Sequence, residues 1–181
     1  MSHSLLTATG PDRPGIVAAL TQVLYENGGN LEDSAMTRLQ GEFAVLLIFS
    51  MPAGADTQKL AAALKTLEKS HGLSAQIKPL APQETVSPPA SRPMALVTVY
   101  GADQPGIVYR VTQALSRQGF NITDLTTHRT ETGSQKAGYI LCLEGEIPTG
   151  AGVVQLEKRL GESMRGLNVS VSVKPLDSSP L

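Results

Sequence analysis

Gly10-Pro11-Asp12-Arg13-Pro14-Gly15-Ile16-Val17 returns as Gly101-Ala102-Asp103-Gln104-Pro105-Gly106-Ile107-Val108, displaced by 91 positions (101 minus 10). Each copy offers a carboxylate, a proline, a glycine and then an apolar pair, an order that suits a strand running into a helix. The aspartate can accept from a first-turn N–H, the proline needs no N–H there, and the glycine permits close approach or an unusual φ. The same groups have a second use. A helix N-terminus carries free N–H groups and a partial positive charge that receive a carboxylate or phosphate. Asn30 and Asn121 follow each glycine by 15 residues (30 minus 15, 121 minus 106), and a side-chain amide both donates and accepts. Helix N–H donors, an acidic group and an amide together match a free amino acid. Local capping accounts for Asp12, Pro14 and Gly15 equally well, so the residues alone leave both readings open. The phrase is neither G-x-x-x-x-G-K-[ST] nor G-x-G-x-x-G, which leaves nucleotide binding little support.

The repetition extends beyond the phrase. At the same displacement Thr21, Gln22 and Leu24 match Thr112, Gln113 and Leu115, while Gly28, Asn30, Asp33 and Arg38 match Gly119, Asn121, Asp124 and Arg129. A period of this length is too long for a solenoid unit and right for a small domain. Leu5 to Thr9 reads as a strand. Ile16, Val17, Leu20, Val23 and Leu24 form one helical face, stopped by Asn27-Gly28-Gly29. Asn30 to Leu39 reads as a more polar strand and Gln40-Gly41-Glu42 as a tight turn. Phe43 to Phe49 is an apolar run of the kind covered on both faces. Asp56 is placed to cap a second helix bearing Leu60, Leu64 and Leu67, which Gly72 ends. Leu73, Ala75 and Ile77 then alternate as a half-buried strand.

The second copy keeps this order. Ala95 to Tyr100 is a strand, and Ile107, Val108, Val111, Ala114 and Leu115 form a helical stripe. Asn121 to Thr130 and Tyr139 to Leu143 form a hairpin with a longer loop around Thr132-Gly133-Ser134-Gln135. Val153, Leu156, Leu160 and Met164 mark the second helix, and Leu167, Val169, Val171 and Val173 alternate along an edge strand. The expected organisation is a domain over 1–80, a proline-rich linker over 81–93, a second domain over 94–176 and a frayed tail over 177–181. The β-α-β-β-α-β order predicts an α+β, ferredoxin-like unit, a four-stranded antiparallel sheet with two helices on one face. Alternation along Phe43 to Phe49 would leave apolar residues on the opposite face too, so association with the other copy or a second chain is expected.

Composition excludes several function classes. Net charge is −1, aromatics are 4% and tryptophan is absent, so neither a basic footprint nor stacking surface for nucleic acid is present. No length remains for a separate catalytic or DNA-reading domain. The lone Cys142 sits in an apolar run, reads as a buried inert thiol and favours a reducing compartment. No secretory pattern opens the chain and no apolar stretch reaches the length of a membrane span, so a cytoplasmic location is expected. His3, His71 and His128 share no metal-ligand spacing, no catalytic triad stands out, and neither metal nor cofactor is expected. Glu157-Lys158-Arg159 reads as a solvated helix face.

Asp-x-Pro-Gly-Ile-Val followed by Gly-x-Asn-[Leu/Ile], twice, resembles the ACT domain, a regulatory module of β-α-β-β-α-β fold. Two such domains with nothing else resemble the glycine cleavage system transcriptional repressor family. That resemblance implies amino-acid sensing with glycine as leading ligand, and repression through a partner such as a transcription activator rather than through DNA contact. In ACT domains the ligand lies at a domain interface, between the loop after the first strand of one unit and the start of the second strand of another. Carried over, this implies Asp12, Gly15, Ile16, Val17, Asn30 and Leu31, and Asp103, Gly106, Ile107, Val108, Asn121 and Ile122, as ligand-binding residues. An amino-acid-responsive regulatory subunit of a metabolic enzyme is the alternative, and a homo-oligomer is expected in either case.

Overall fold

A computed structural model describes residues 2–81, 92–130 and 138–176, and the chain divides into two compact units, Met1–Pro88 and Pro89–Leu181. Most of the expected linker (82–91), the longer hairpin loop (131–137) and the expected frayed tail (177–181) lie outside the described residues.

The first unit runs β1 (Ser2–Pro11), α1 (Ile16–Glu26), β2 (Asn30–Leu39), β3 (Glu42–Met51), α2 (Thr57–His71) and β4 (Ser74–Leu80). Its strands pair antiparallel in the order β2-β3-β1-β4. The Gln40-Gly41 turn has φ of 50° and 89°, the left-handed pair that a two-residue hairpin requires. Alternation sends Leu6 and Ala8 of β1 and Phe43, Val45, Leu47 and Phe49 of β3 to one face. There Leu20 and Leu24 of α1 and Leu60, Leu64 and Leu67 of α2 close the core. Full burial of each such side chain contributes about 1.5–3 kcal/mol. The Asp56 carboxylate accepts from the Gln58 and Lys59 N–H groups at 3.0 Å each, capping α2 as expected, and Gly72 at φ 68° ends that helix.

The second unit repeats the plan with β5 (Met94–Ala102), α3 (Ile107–Arg117), β6 (Asn121–Thr130), β7 (Gly138–Glu146), α4 (Val153–Ser163) and β8 (Val169–Leu176), in sheet order β6-β7-β5-β8. Its core joins Val97 and Val99 to Val111 and Leu115 of α3, Leu141 and Leu143 of β7, and Leu156 and Leu160 of α4. Both units are α+β with the expected ferredoxin-like order. Gly10 and Gly101 match because β1 and β5 run tightly past the start of the last strand. A Cβ on Gly101 would strike the Asn168 carbonyl, and one on Gly10 would lie 2.9 Å from the Gly72 carbonyl.

The Phe43–Phe49 run is buried on its helix side, and on the face expected to meet the other copy or a second chain Leu46 is 48% exposed in the single chain. Three expectations need correction. Cys142 sits on the corresponding face of β7 and is half-buried, because it alternates with the buried Leu141 and Leu143. Val17 departs from the core stripe of α1 and is 43% exposed, while Ile16, Leu20 and Leu24 carry the burial. Glu157 is not merely solvated. Its carboxylate accepts the Val173 N–H at 2.7 Å, as Glu68 accepts the Ala75 N–H at 2.7 Å, so in each unit a helix glutamate supplies an edge strand with a partner.

Candidate functional site

Gly15 and Gly106 occupy the N-cap positions of α1 and α3 with φ of 93° and 90°, a left-handed conformation that favours glycine. Nothing lies within 4 Å of where a Cβ would stand at either residue. The glycines are therefore required by backbone conformation, and they leave open space before each helix. Both carbonyls open their helices in the same way, accepting from Ala19 and Arg110 at 2.9 Å. The N–H groups of the first turn have no intrahelical acceptor by geometry and carry the positive end of the helix dipole. Ile16 and Ile107 are buried and anchor the first turn, while Val17 is exposed and Val108 half-buried beside it.

Asp12 and Asp103 do not cap these helices: neither α1 nor α3 has a side-chain cap. The glycine in the left-handed region takes the N-cap itself, and the aspartates turn to arginines instead. Asp12 Oδ2 lies 3.3 Å from Nη1 of Arg38 at the end of β2, and Asp103 Oδ2 lies 3.0 Å from Nε of Arg129 at the end of β6. The carboxylates are 30% exposed in both copies, and the arginines 69% and 68%. Arg38 and Arg129 are functional candidates that the motif alone missed. The signal was present, since both recur at the displacement of the phrase.

Asn30 and Asn121 open β2 and β6, exposed, and among the described residues neither side chain makes a hydrogen bond. The register places them far from the glycine phrase of their own unit. His3 pairs with Ser50, which pairs with Asn30; Gly10 pairs with Phe43, which pairs with Arg38. Seven positions along β1 (10 minus 3) at about 3.3 Å each separate the two rows by roughly 23 Å. The second unit has the same arrangement, with Asn121 opposite Glu146 and Met94 while Arg129 lies opposite Tyr139 and Gly101. Each unit thus brings Asp12, Gly15, Ile16 and Val17, or Asp103, Gly106, Ile107 and Val108, to one end. Asn30 and Leu31, or Asn121 and Ile122, stand at the other.

Two surface hollows are also present, the second beside the Asp103 end of its unit. One of about 320 Å³ is lined by Leu5, Asp33, Ser34, Ala35, Leu46 and Ile48, and one of about 480 Å³ by residues around Tyr100 and Ser170. None of the candidate residues lines either. Among the described residues no group of His, Cys, Asp and Glu has the geometry to hold a metal ion, and no helix is long and apolar enough to cross a membrane.

Family models of the ACT domain match residues 2–78 and 95–161, each spanning a glycine phrase and its following asparagine strand. The chain belongs to the ACT-domain family. It carries two ACT domains in tandem, and a likeness to one relative runs through both. The glycine cleavage system transcriptional repressor of Escherichia coli is 24% identical over 179 residues, covering 98% of this chain and 92% of that protein. Among solved structures, a protein of unknown function from Galdieria sulphuraria superposes with a TM-score of 0.77 at 24% identity, over 97% of this chain and 98% of that one. A structure provisionally assigned as a glycine cleavage system transcriptional repressor superposes with a TM-score of 0.70 at 21% identity, over 97% of both chains. These two superpositions bear on the fold of the tandem ACT chain.

Proposed function

We propose that this tandem ACT protein senses a small amino acid, with glycine the leading ligand, and represses glycine cleavage genes through a transcription activator in the cytoplasm. The observation that carries the reading is the relation to the Escherichia coli repressor, which extends over both ACT domains and nearly the full length of each chain. ACT domains are regulatory modules, and no catalytic role is assigned to any residue. A net charge of −1 gives the chain no electrostatic purchase on DNA, so a protein intermediary is the better route to transcription.

The ligand carboxylate meets the first-turn N–H groups beyond Gly15 or Gly106, flanked by Asp12, Ile16 and Val17 or by Asp103, Ile107 and Val108. The ligand also meets the amide of Asn30 or Asn121 beside Leu31 or Ile122. Because these groups stand about 23 Å apart within a unit, no single small ligand touches both within one unit. Self-association belongs to the same reading. Leu5, Leu46 and Ile48 give the first sheet an apolar outer face, and sedimentation should show a species larger than one chain that Leu46→Lys weakens.

A thermal-shift screen against the common amino acids tests the ligand. A ligand specific for the folded state adds about 2.7 kcal/mol of apparent stability at one hundred times its Kd. Glycine or another small amino acid should raise the melting temperature, and a screen with no response contradicts the reading. Affinity capture with and without glycine tests the partner. Recovery of a transcription activator supports repression, whereas recovery of a metabolic enzyme would favour a role as its regulatory subunit.

A further inference from the structure

The two aspartate–arginine pairs are the charged groups that the duplicated phrase and the ends of β2 and β6 bring together. The surrounding phrase has diverged, Pro11 and Arg13 in one copy against Ala102 and Gln104 in the other. Both partners of each pair nevertheless persist, although they lie 26 residues apart in sequence (38 minus 12, 129 minus 103). The contact itself is not identical, through Nη1 of Arg38 but Nε of Arg129. A pair this exposed adds little stability, which gives the fold small reason to hold both members twice.

Each pair also retains unused capacity. A guanidinium has five N–H donors and an ionised carboxylate two oxygens. The contact engages one nitrogen of each arginine and Oδ2 alone of each aspartate. An amino acid at neutral pH is a zwitterion whose opposite charges sit on adjacent groups. An adjacent cation and anion on the protein are complementary to it, and charge-assisted hydrogen bonds of this kind are stronger than neutral ones.

We propose that Asp12–Arg38 and Asp103–Arg129 are zwitterion-reading pairs. In each, the arginine receives the α-carboxylate together with the adjoining helix N-terminus, and the free aspartate oxygen receives the α-ammonium. The inference rests on the amino-acid-sensing reading and deepens it by making these pairs the determinants of ligand class. They select α-amino acids over amines and over simple carboxylic acids of the same size, while the apolar neighbours sort among amino acids.

The test uses the full chain and three probes: glycine, glycinamide, which lacks the carboxylate, and acetate, which lacks the ammonium. Affinities come from calorimetric titration and from competition against glycine. Wild type should prefer glycine to either analogue by about tenfold or more, the scale of one lost charged hydrogen bond. Arg38→Gln with Arg129→Gln should collapse the preference over glycinamide and leave that over acetate. Asp12→Asn with Asp103→Asn should do the reverse. Arg38→Lys with Arg129→Lys, which keeps the charge, should restore part of the preference over glycinamide. Melting curves of each variant check the fold, and little change is expected for exposed pairs. A proportional loss for all three probes, or no change in either ratio, overturns the proposal and reduces the pairs to latches between loop and sheet. A wild-type chain that binds no amino acid overturns this proposal together with the function on which it rests.

Discussion

The two units fill one core position from opposite directions. In the first, the ring comes from Phe49 on β3, and the residue ahead of β2 is Gly29, where a Cβ would lie 3.4 Å from that ring. In the second, the ring comes from Phe120 ahead of β6, and the β7 position is Gly145, where a Cβ would collide with the Phe120 ring. Glycine and phenylalanine have exchanged places between duplicated sites. Packing constrains the volume at that point and not which strand supplies it. The outer sheet faces have drifted further, with Leu46 and Ile48 of β3 answered by Cys142 and Glu144 of β7 in register. Against that freedom, the left-handed glycines, the aspartates, their arginine partners and the asparagines are the same in both units. The contrast separates positions that packing lets drift from positions that both units hold in common.

The largest effects should come from the exchanged rings. Phe49→Ala and Phe120→Ala should each cost about 3–5 kcal/mol by denaturant unfolding, and a silent Phe120→Ala would break the equivalence of the two positions. Gly145→Phe should cost at least about 1–3 kcal/mol through overpacking, and adding Phe120→Gly should recover only the part due to the ring, because a Cβ at Gly145 also meets the Asn121 backbone carbonyl. Gly15→Ala and Gly106→Ala should lose about 1–2 kcal/mol each from left-handed strain alone, by nearly equal amounts, because both sites are sterically open. A large inequality would mean that the two loops are held differently. The smallest contrast is at the second helices, where Asp56 caps α2 but α4 begins at Gly152 with no side-chain cap. Asp56→Ala should cost about 1 kcal/mol, whereas Gly152→Asp should gain a few tenths, both readable as shifts in melting temperature.

Much of this architecture was legible in the sequence because it is written in local rules. Alternation, helical spacing, the Asp56 cap and the Gln40-Gly41 turn each act over a few residues, and the duplication gave every element a second reading. What remained hidden depends on register. No local pattern shows that Asp12 faces Arg38 across the sheet rather than the turn of α1, or that Glu157 reaches the Val173 N–H. The Phe49–Phe120 exchange was invisible for the same reason, since the lengthened hairpin shifts the numbering by 96 (145 minus 49) instead of 91. The candidate residues were found from the repeat, but their separation into two ends of each unit emerges only from strand pairing.

The central claim is that residues repeated in both units hold an amino acid, and titration calorimetry with Asn30→Ala and Asn121→Ala tests it most directly. These exposed amides have no protein partner among the described residues, so their removal should leave the fold intact. Glycine should bind the wild-type chain, and the double variant should bind it about ten- to hundredfold more weakly, the loss expected for hydrogen bonds to a charged ligand group. Unchanged affinity in the double variant, or no glycine binding by the wild-type chain, would contradict the account.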